Sequence, residues 1–409
     1  MTSPKAALTF VIITVIINML GIGLAWPILP KLVEELTGGT VAEAAIVYGV
    51  LVTGFALMQF LFAPLLGVLS DRFGRRPIML LSLAGLGVDY VVLAIAPDIF
   101  WVTVARLLAG MMGATIATAN AFVADVTPED KRAGAFGLIG ASFGIGFVAG
   151  PLIGGVLGEI DLRLPFWFAA GLCFANLTFG YFALPESLKP EDRRNIRWRE
   201  ANPFGALVQI TKYPAVVALM VALFLTTMSQ RGLESIWVLW TGAVFDWGVR
   251  DAAWSLTYVG ACMVVVQGYA VRKIIAAIGE RRTIFYGYAL SGLSYFLLPF
   301  VTESWMIFAG ITIHILGWGS ASPALQAVTS KAVPKDQQGL LQGTLSSVNN
   351  LAAIIGPLMA TQIFAAFTGG SAYVIFPGAF YLVAAVLCVI AITVLIVDGM
   401  RFRARNSAR

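Results

Sequence analysis

An all-α membrane protein, with twelve transmembrane helices in two six-helix bundles, is the fold class this sequence predicts. Three observations lead there. Of 409 residues, 59% are hydrophobic and only 12% charged, against about 25% charged in a soluble domain. Apolar runs of spanning length recur twelve times along the chain. The second half also repeats the first at a constant offset of 206 residues.

Spanning takes roughly 20 apolar residues. The first run, 7–29, is long enough, carries Asn18, and is followed by no small-residue cleavage site, so it reads as a span and not a signal peptide. The second, 44–69, holds Gln59 and runs into GVLSDRFGRRP at 67–77, a turn that packs together Asp71, Arg72, Arg75 and Arg76. The third, 78–96, contains Asp89; the fourth, 99–122, contains Arg106 and Asn120 and ends just before Asp125. The fifth, 135–158, has glycines at 140, 144, 146, 150, 154 and 155, and the sixth spans 165–184. A polar, proline-containing stretch, 185–214, reads as a linker. The seventh run, 215–240, carries Gln230, Arg231, Glu234, Trp237 and Trp240. The rest lie at 252–277, 283–301, 304–328 (with His314 and Gln326), 340–366 (with Asn349 and Asn350) and 373–397. The expected organisation is a bundle at 1–184, a linker at 185–214, and a second bundle at 215–409 with a basic tail.

An even number of spans puts both termini on one side. Loops after odd-numbered runs hold three basic residues, Lys31, Arg163 and Arg250. Loops and span ends after even-numbered runs, with the two tails, hold twenty-two. Basic residues stay cytoplasmic, so both termini, the linker and the 67–77 turn are expected there. The basic stretch at Arg193, Arg194, Arg197 and Arg199 fits anionic headgroups of the bilayer better than nucleic acid.

The repeat is visible residue by residue. Pro128, Asp130 and Gly137 match Pro334, Asp336 and Gly343, and Gly150-Pro151-Leu152 matches Gly356-Pro357-Leu358. Arg75-Arg76 matches Arg281-Arg282 at the same offset. Two separated blocks at one offset indicate a duplicated unit with the same topology in both halves.

Other readings lose support. Cys173, Cys262 and Cys388 have no paired spacing, and His314 is the single histidine, so neither a thiolate cluster nor a two-histidine metal site is expected. No nucleophile–base pair and no phosphate loop supports an enzyme, and no cofactor is implied. The partner that composition itself implies is the lipid bilayer.

A charge at the bilayer centre costs about 2.5–3.5 kcal/mol on insertion scales and normally marks a pathway. Asp89, Arg106, Arg231 and Glu234 meet that description. Arg106 keeps its proton, so it would hold a carboxylate or an anionic substrate group. Glu234 either carries protons or is pinned by Arg231, one turn away. His314 either titrates or packs as a hydrogen-bonded residue. Trp237 and Trp240 either stack on a flat ligand or anchor the membrane interface. In the fifth run, glycines three and four apart let a neighbouring helix approach, and Pro151 invites a kink.

Three of these stretches carry a family resemblance. The turn with Gly67, Asp71, Arg72, Gly74, Arg75 and Arg76 resembles the loop between spans two and three of the major facilitator superfamily. Arg106-LLA-Gly110 is similar to its span-four motif, with the glycine and alanine tail shifted by one residue. Gly146, Gly150, Pro151, Gly154 and Gly155 resemble the span-five motif of its drug:proton antiporters. The stretches GIGLAWPILPKL, SDRFGRRPIMLLSL, GVDYVVLA and PALQ are similar to bacterial tetracycline efflux proteins. The resemblance implies a bacterial inner-membrane exporter of amphipathic drugs, running by alternating access and proton antiport, with Glu234, Asp89 and His314 as proton-coupling candidates. It places Asn18, Gln59, Arg106, Asn120, Gln230, Arg231, Trp237, Gln326, Asn349 and Asn350 at a substrate cavity. It makes the 67–77 turn, with Asp125, a latch on the cytoplasmic side. Asn18 and Ser291 stand where such exporters carry acids, and Met263 lies near where some carry a histidine. A second reading, an uptake or facilitated-diffusion transporter for an anionic metabolite, would use Arg106 and Arg231.

Overall fold

The computed structural model describes residues 4–113, 115–188, 191, 193, 214–334, 338–370 and 372–407. Most of the 185–214 linker, including Arg194, Arg197 and Arg199, and Asp336 of the repeat lie outside them. Among the described residues, seven helices precede the linker: α1 (Pro4–Thr37), α2 (Val41–Phe73), α3 (Arg75–Ile95), α4 (Ile99–Met111), α5 (Thr115–Val126), α6 (Glu129–Ile160) and α7 (Leu164–Ala183). After it come α8 (Pro214–Phe245) and α9 (Val249–Val265), which passes through one π turn at Val266–Ala270 into α10 (Val271–Ile278). Then follow α11 (Glu280–Leu297), α12 (Ser304–Lys331), α13 (Gln338–Thr368) and α14 (Ala379–Ser407).

Among the described residues, ten helices are long and apolar enough to cross a membrane, counting α9 to α10 as one. The fourth and ninth predicted runs fall outside that set for different reasons. The fourth was expected to be continuous over 99–122 but is two helices. Met112 and Gly113 turn between them, their N–H groups bonding to Leu108 O and Gly110 O at 3.1 Å each. A glycine there costs helix stability and allows the turn. The ninth, α11, opens on Glu280, Arg281 and Arg282 and is polar for a span. The architecture is consistent with twelve spans.

Two further expectations shift. Lys31 belongs to the last turns of α1 and Arg250 to the first turn of α9, neither to a loop. Pro151 lies inside α6.

The chain divides into two compact units. The first comprises Met1–Gly39, Gly54–Pro203 and Gly248–Thr257. Its core joins Phe10, Val15 and Met19 of α1 to Met79 and Leu83 of α3, Phe122 and Val123 of α5, and Ile139 of α6. Glycines set the spacing of α1 against α6. A Cβ on Gly146 would lie 2.6 Å from that of Met19, one on Gly150 2.7 Å from Gly23 Cα, and one on Gly154 2.9 Å from Leu24 O. Of the glycines spaced three and four apart in sequence, those at 146, 150 and 154 thus form a seam where two backbones touch. Gly140, by contrast, faces open space.

The second unit comprises Thr40–Thr53, Phe204–Trp247 and Tyr258–Arg409. Its core gathers Val216, Met220 and Leu223 of α8, Ile284 and Tyr288 of α11, Ala321 and Leu325 of α12, and Leu341 and Leu345 of α13. The seam recurs, since a Cβ on Gly356 would lie 2.6 Å from Met228 O of α8. Helices α11 and α12 also touch at Gly287 and Gly317, where a Cβ on either would lie under 3 Å from the other's carbonyl oxygen.

Candidate functional site

Three polar clusters stand out within the units. The first is the pair Asp89–Arg106. Helix α3 presents Asp89 fully buried, and α4 brings Arg106 to it, so that Nη2 donates to Oδ2. Arg106 also lies over the Phe55 ring at 6.0 Å. The pair is not saturated: Asp89 Oδ1 and Arg106 Nε have no protein partner among the described residues. Buried polar atoms are normally paired, so these two leave a demand that water or a ligand group would meet. The carboxylate that Arg106 holds is therefore one of the protein's own, and its positive charge is neutralised before any substrate arrives.

The second cluster sits on α8 and reaches α11 and α12. Glu234 accepts from Arg231 Nη1 at 2.8 Å and from Gln230 Nε2 at 3.2 Å, one turn apart on the same helix. The two ends differ in access, the Arg231 side chain being 48% exposed and that of Glu234 21%. Gln230 is buried, and its Oε1 lies 2.7 Å from Nε2 of His314 and 3.4 Å from the Tyr295 hydroxyl. Tyr295 and His314 pack ring to ring at 4.8 Å. A continuous set of hydrogen bonds thus runs from a half-exposed arginine to the only histidine, with a carboxylate that can gain or lose a proton at its middle.

The third cluster is the turn between α2 and α3. Arg75 reaches Asp71 at 2.5 Å, Asp125 at 3.3 Å and Ser70 Oγ at 3.1 Å. Glu186, just after α7, caps α3 by accepting from the N–H groups of Arg75 and Arg76 at 2.8 and 3.3 Å. Ser187 Oγ donates to Asp125 at 3.1 Å. Gly74 makes this possible: its φ of 109° suits glycine, and a Cβ there would run into the Glu186 carboxylate. Arg76 Nη2 donates to Tyr181 O at 2.6 Å, while Arg72 is exposed.

The remaining candidates are dispersed. Asn18, Asn120, Asn349 and Asn350 are half-buried on α1, α5 and α13, with Asn349 accepting from Thr227 at 3.4 Å. Gln59 donates to Gly113 O at 3.4 Å, at the break between α4 and α5. Gln326 is exposed. Trp237 is buried, 5.8 Å from Trp240. Trp240 is fully buried edge-on against Tyr381 at 4.9 Å, so it fills the core of its unit and does not offer a face to a ligand. Gly67 faces open space, and Gly155 faces Ala253 within the first unit. Sequence reasoning did not single out Tyr295, Glu186 or Ser187. Glu186 had a signal, as a carboxylate immediately after a span and one residue beyond Pro185.

Comparison with known proteins follows the same lines. The family model described as Major Facilitator Superfamily matches residues 11–278 and 219–408. The tetracycline resistance protein of class C from Escherichia coli is 41% identical over 360 residues, 88% of this chain and 90% of that protein. The class G protein of Vibrio anguillarum is 36% identical, covering 93% of this chain and 94% of its own. Among solved structures, a bacterial homologue of the human lysosomal transporter Spinster, inward-facing and unoccupied, superimposes with a TM-score of 0.79 at 17% identity, over 98% of both chains. The human organic anion transporter MFSD10 gives 0.71 at 23% identity, over 97% of this chain and all of that one.

Proposed function

The chain belongs to the Major Facilitator Superfamily, and from that premise we propose that it exports amphipathic, drug-like small molecules across a bacterial inner membrane in exchange for protons. It works by alternating access as a monomer, both termini cytoplasmic, with 1–184 and 215–409 as its two six-span bundles. The observation that carries this reading is Glu234. It is a carboxylate inside an apolar span, partly accessible, and held by two donors that do not bury it. Asp89 is the weaker carrier, being fully buried and bound to Arg106. The kinship with tetracycline resistance proteins supports export of a drug-like compound, and tetracycline is the first to test. Asn18, Gln59, Asn120, Trp237, Gln326, Asn349 and Asn350 are proposed to contribute to substrate selection. The Asp71–Arg75–Asp125 cluster is proposed to act in gating. Neutralisation of Arg106 by Asp89 counts against the anionic-metabolite reading.

The test is transport in proteoliposomes with an imposed pH gradient. Wild type should move substrate at a rate that follows the gradient, and Glu234→Gln should lose at least tenfold of that response. Substrate movement indifferent to the gradient in wild type would end the antiport reading.

A further inference from the structure

Gln230 joins two groups of opposite demands. Glu234, when ionised, only accepts hydrogen bonds. The edge of the Gln230 amide that faces it at 3.2 Å must therefore be the NH2 group. The other edge is then the carbonyl oxygen, 2.7 Å from His314 Nε2. An oxygen there requires that Nε2 carry the proton. Nδ1 is left bare, and it is buried with no partner among the described residues. One carboxylate thus sets the tautomer of an imidazole on a different helix, through one amide.

We propose that Gln230 is a positioning residue that reports the protonation of Glu234 to His314 by turning its amide over. When Glu234 takes a proton, its new O–H is a donor and is best met by the amide oxygen. The amide turns and its NH2 faces His314 Nε2; Nε2 gives its proton to a water molecule and Nδ1 takes one from water. No net proton is transferred between residues; one proton enters at Glu234 and the imidazole exchanges one N–H for the other. The turn changes what α8 offers to α11 and α12 together, because the oxygen that faces His314 also accepts from the Tyr295 hydroxyl at 3.4 Å, and the turn replaces it there with the NH2 group. It therefore supplies a link from proton loading to helix packing inside the second unit. The other ionisable groups facing this cluster are Arg231 on α8 and Tyr381 and Cys388 on α14. The inference rests on Glu234 as the site of proton loading, but its test needs neither substrate nor a gradient.

His314 is the single histidine of the chain, so its ring nitrogens can be read without assignment in protein labelled with ¹⁵N-histidine, purified through a histidine-free tag and placed in bilayers. Wild type at alkaline pH should show the Nε2–H tautomer. Acidification, or Glu234→Gln with its amide mimicking the neutral acid, should raise the Nδ1–H form at least threefold. Gln230→Met should remove the dependence on both pH and residue 234. Identical imidazole spectra in wild type and Glu234→Gln across the pH range would overturn the proposal. So would a response that persists in Gln230→Met. Gradient-driven export that survives Glu234→Gln would instead overturn the carrier role proposed above, and leave the tautomer coupling standing.

Discussion

Asp89 and Arg106 each carry a charge that an apolar helix tolerates poorly, and each removes the other's cost. Burying two ions is repaid only if the pair is kept; deleting one partner strands the other at about 3–5 kcal/mol. Arg106→Gln should therefore lower the thermal stability of the purified protein strongly, and Asp89→Asn should do so as well. The double variant should be more stable than either single one, because two neutral amides replace a stranded charge. Additive losses would mean that the two side chains do not share one interaction. The sequence displayed both residues as misfits in apolar runs, which made them legible as candidates. It did not display their pairing. Seventeen residues and a helix turn separate them, and hydropathy reads composition without reading which faces meet. The same blindness hid Tyr295, an ordinary aromatic in sequence that becomes part of a polar cluster only because α11 packs beside α12.

At the scale of helices, the glycine period in the fifth predicted run was the most informative pattern. It implied a close seam, and α6 meets α1 along it at Gly146, Gly150 and Gly154. Pro151 lies within α6, next to Gly150 of that seam. What decides the seam is backbone contact, so a side chain at Gly150 has nowhere to go. Gly150→Val should cost roughly 1–3 kcal/mol, the usual penalty of overpacking. Gly140→Ala, on the open side of the same helix, should be neutral or stabilise by about 0.5–1 kcal/mol through helix propensity. Thermal unfolding of both variants in detergent checks the pair of expectations, and equal losses would show that period alone, without the seam, governs α6. The break between α4 and α5 was less legible. Its residues are apolar, so a hydropathy window passes over Met112 and Gly113, whereas the turn depends on local backbone hydrogen bonds and on Gln59 capping the freed Gly113 carbonyl at 3.4 Å.

At the scale of the molecule, duplication is the fact that organises the rest, and it separates what the fold needs from what the function needs. The offset that carries Gly150 to Gly356 keeps the seam in both units. The same offset carries Asp89 to Tyr295. One unit buries an ion pair between α3 and α4, and the other buries a tyrosine and a histidine between α11 and α12, ring against ring and each hydrogen-bonded to Gln230. The turns before α3 and before α11 give the sharpest contrast. Asp71 and Arg72 become Ala277 and Ile278, while both arginines that follow are retained. The second unit makes its turn with Gly279 at a φ of 80° and no aspartate at the position matching Asp71. Asp71 is thus dispensable for forming such a turn. Removing its charge should cost little stability, about 1 kcal/mol, because Asp71 is partly exposed and Arg75 keeps Asp125 at 3.3 Å. Asp71→Asn should nevertheless abolish transport in proteoliposomes at normal expression and melting temperature, and Asp71→Glu should restore part of it. Transport at the wild-type rate in Asp71→Asn would remove this cluster from the gate and leave it a solvated turn like its counterpart.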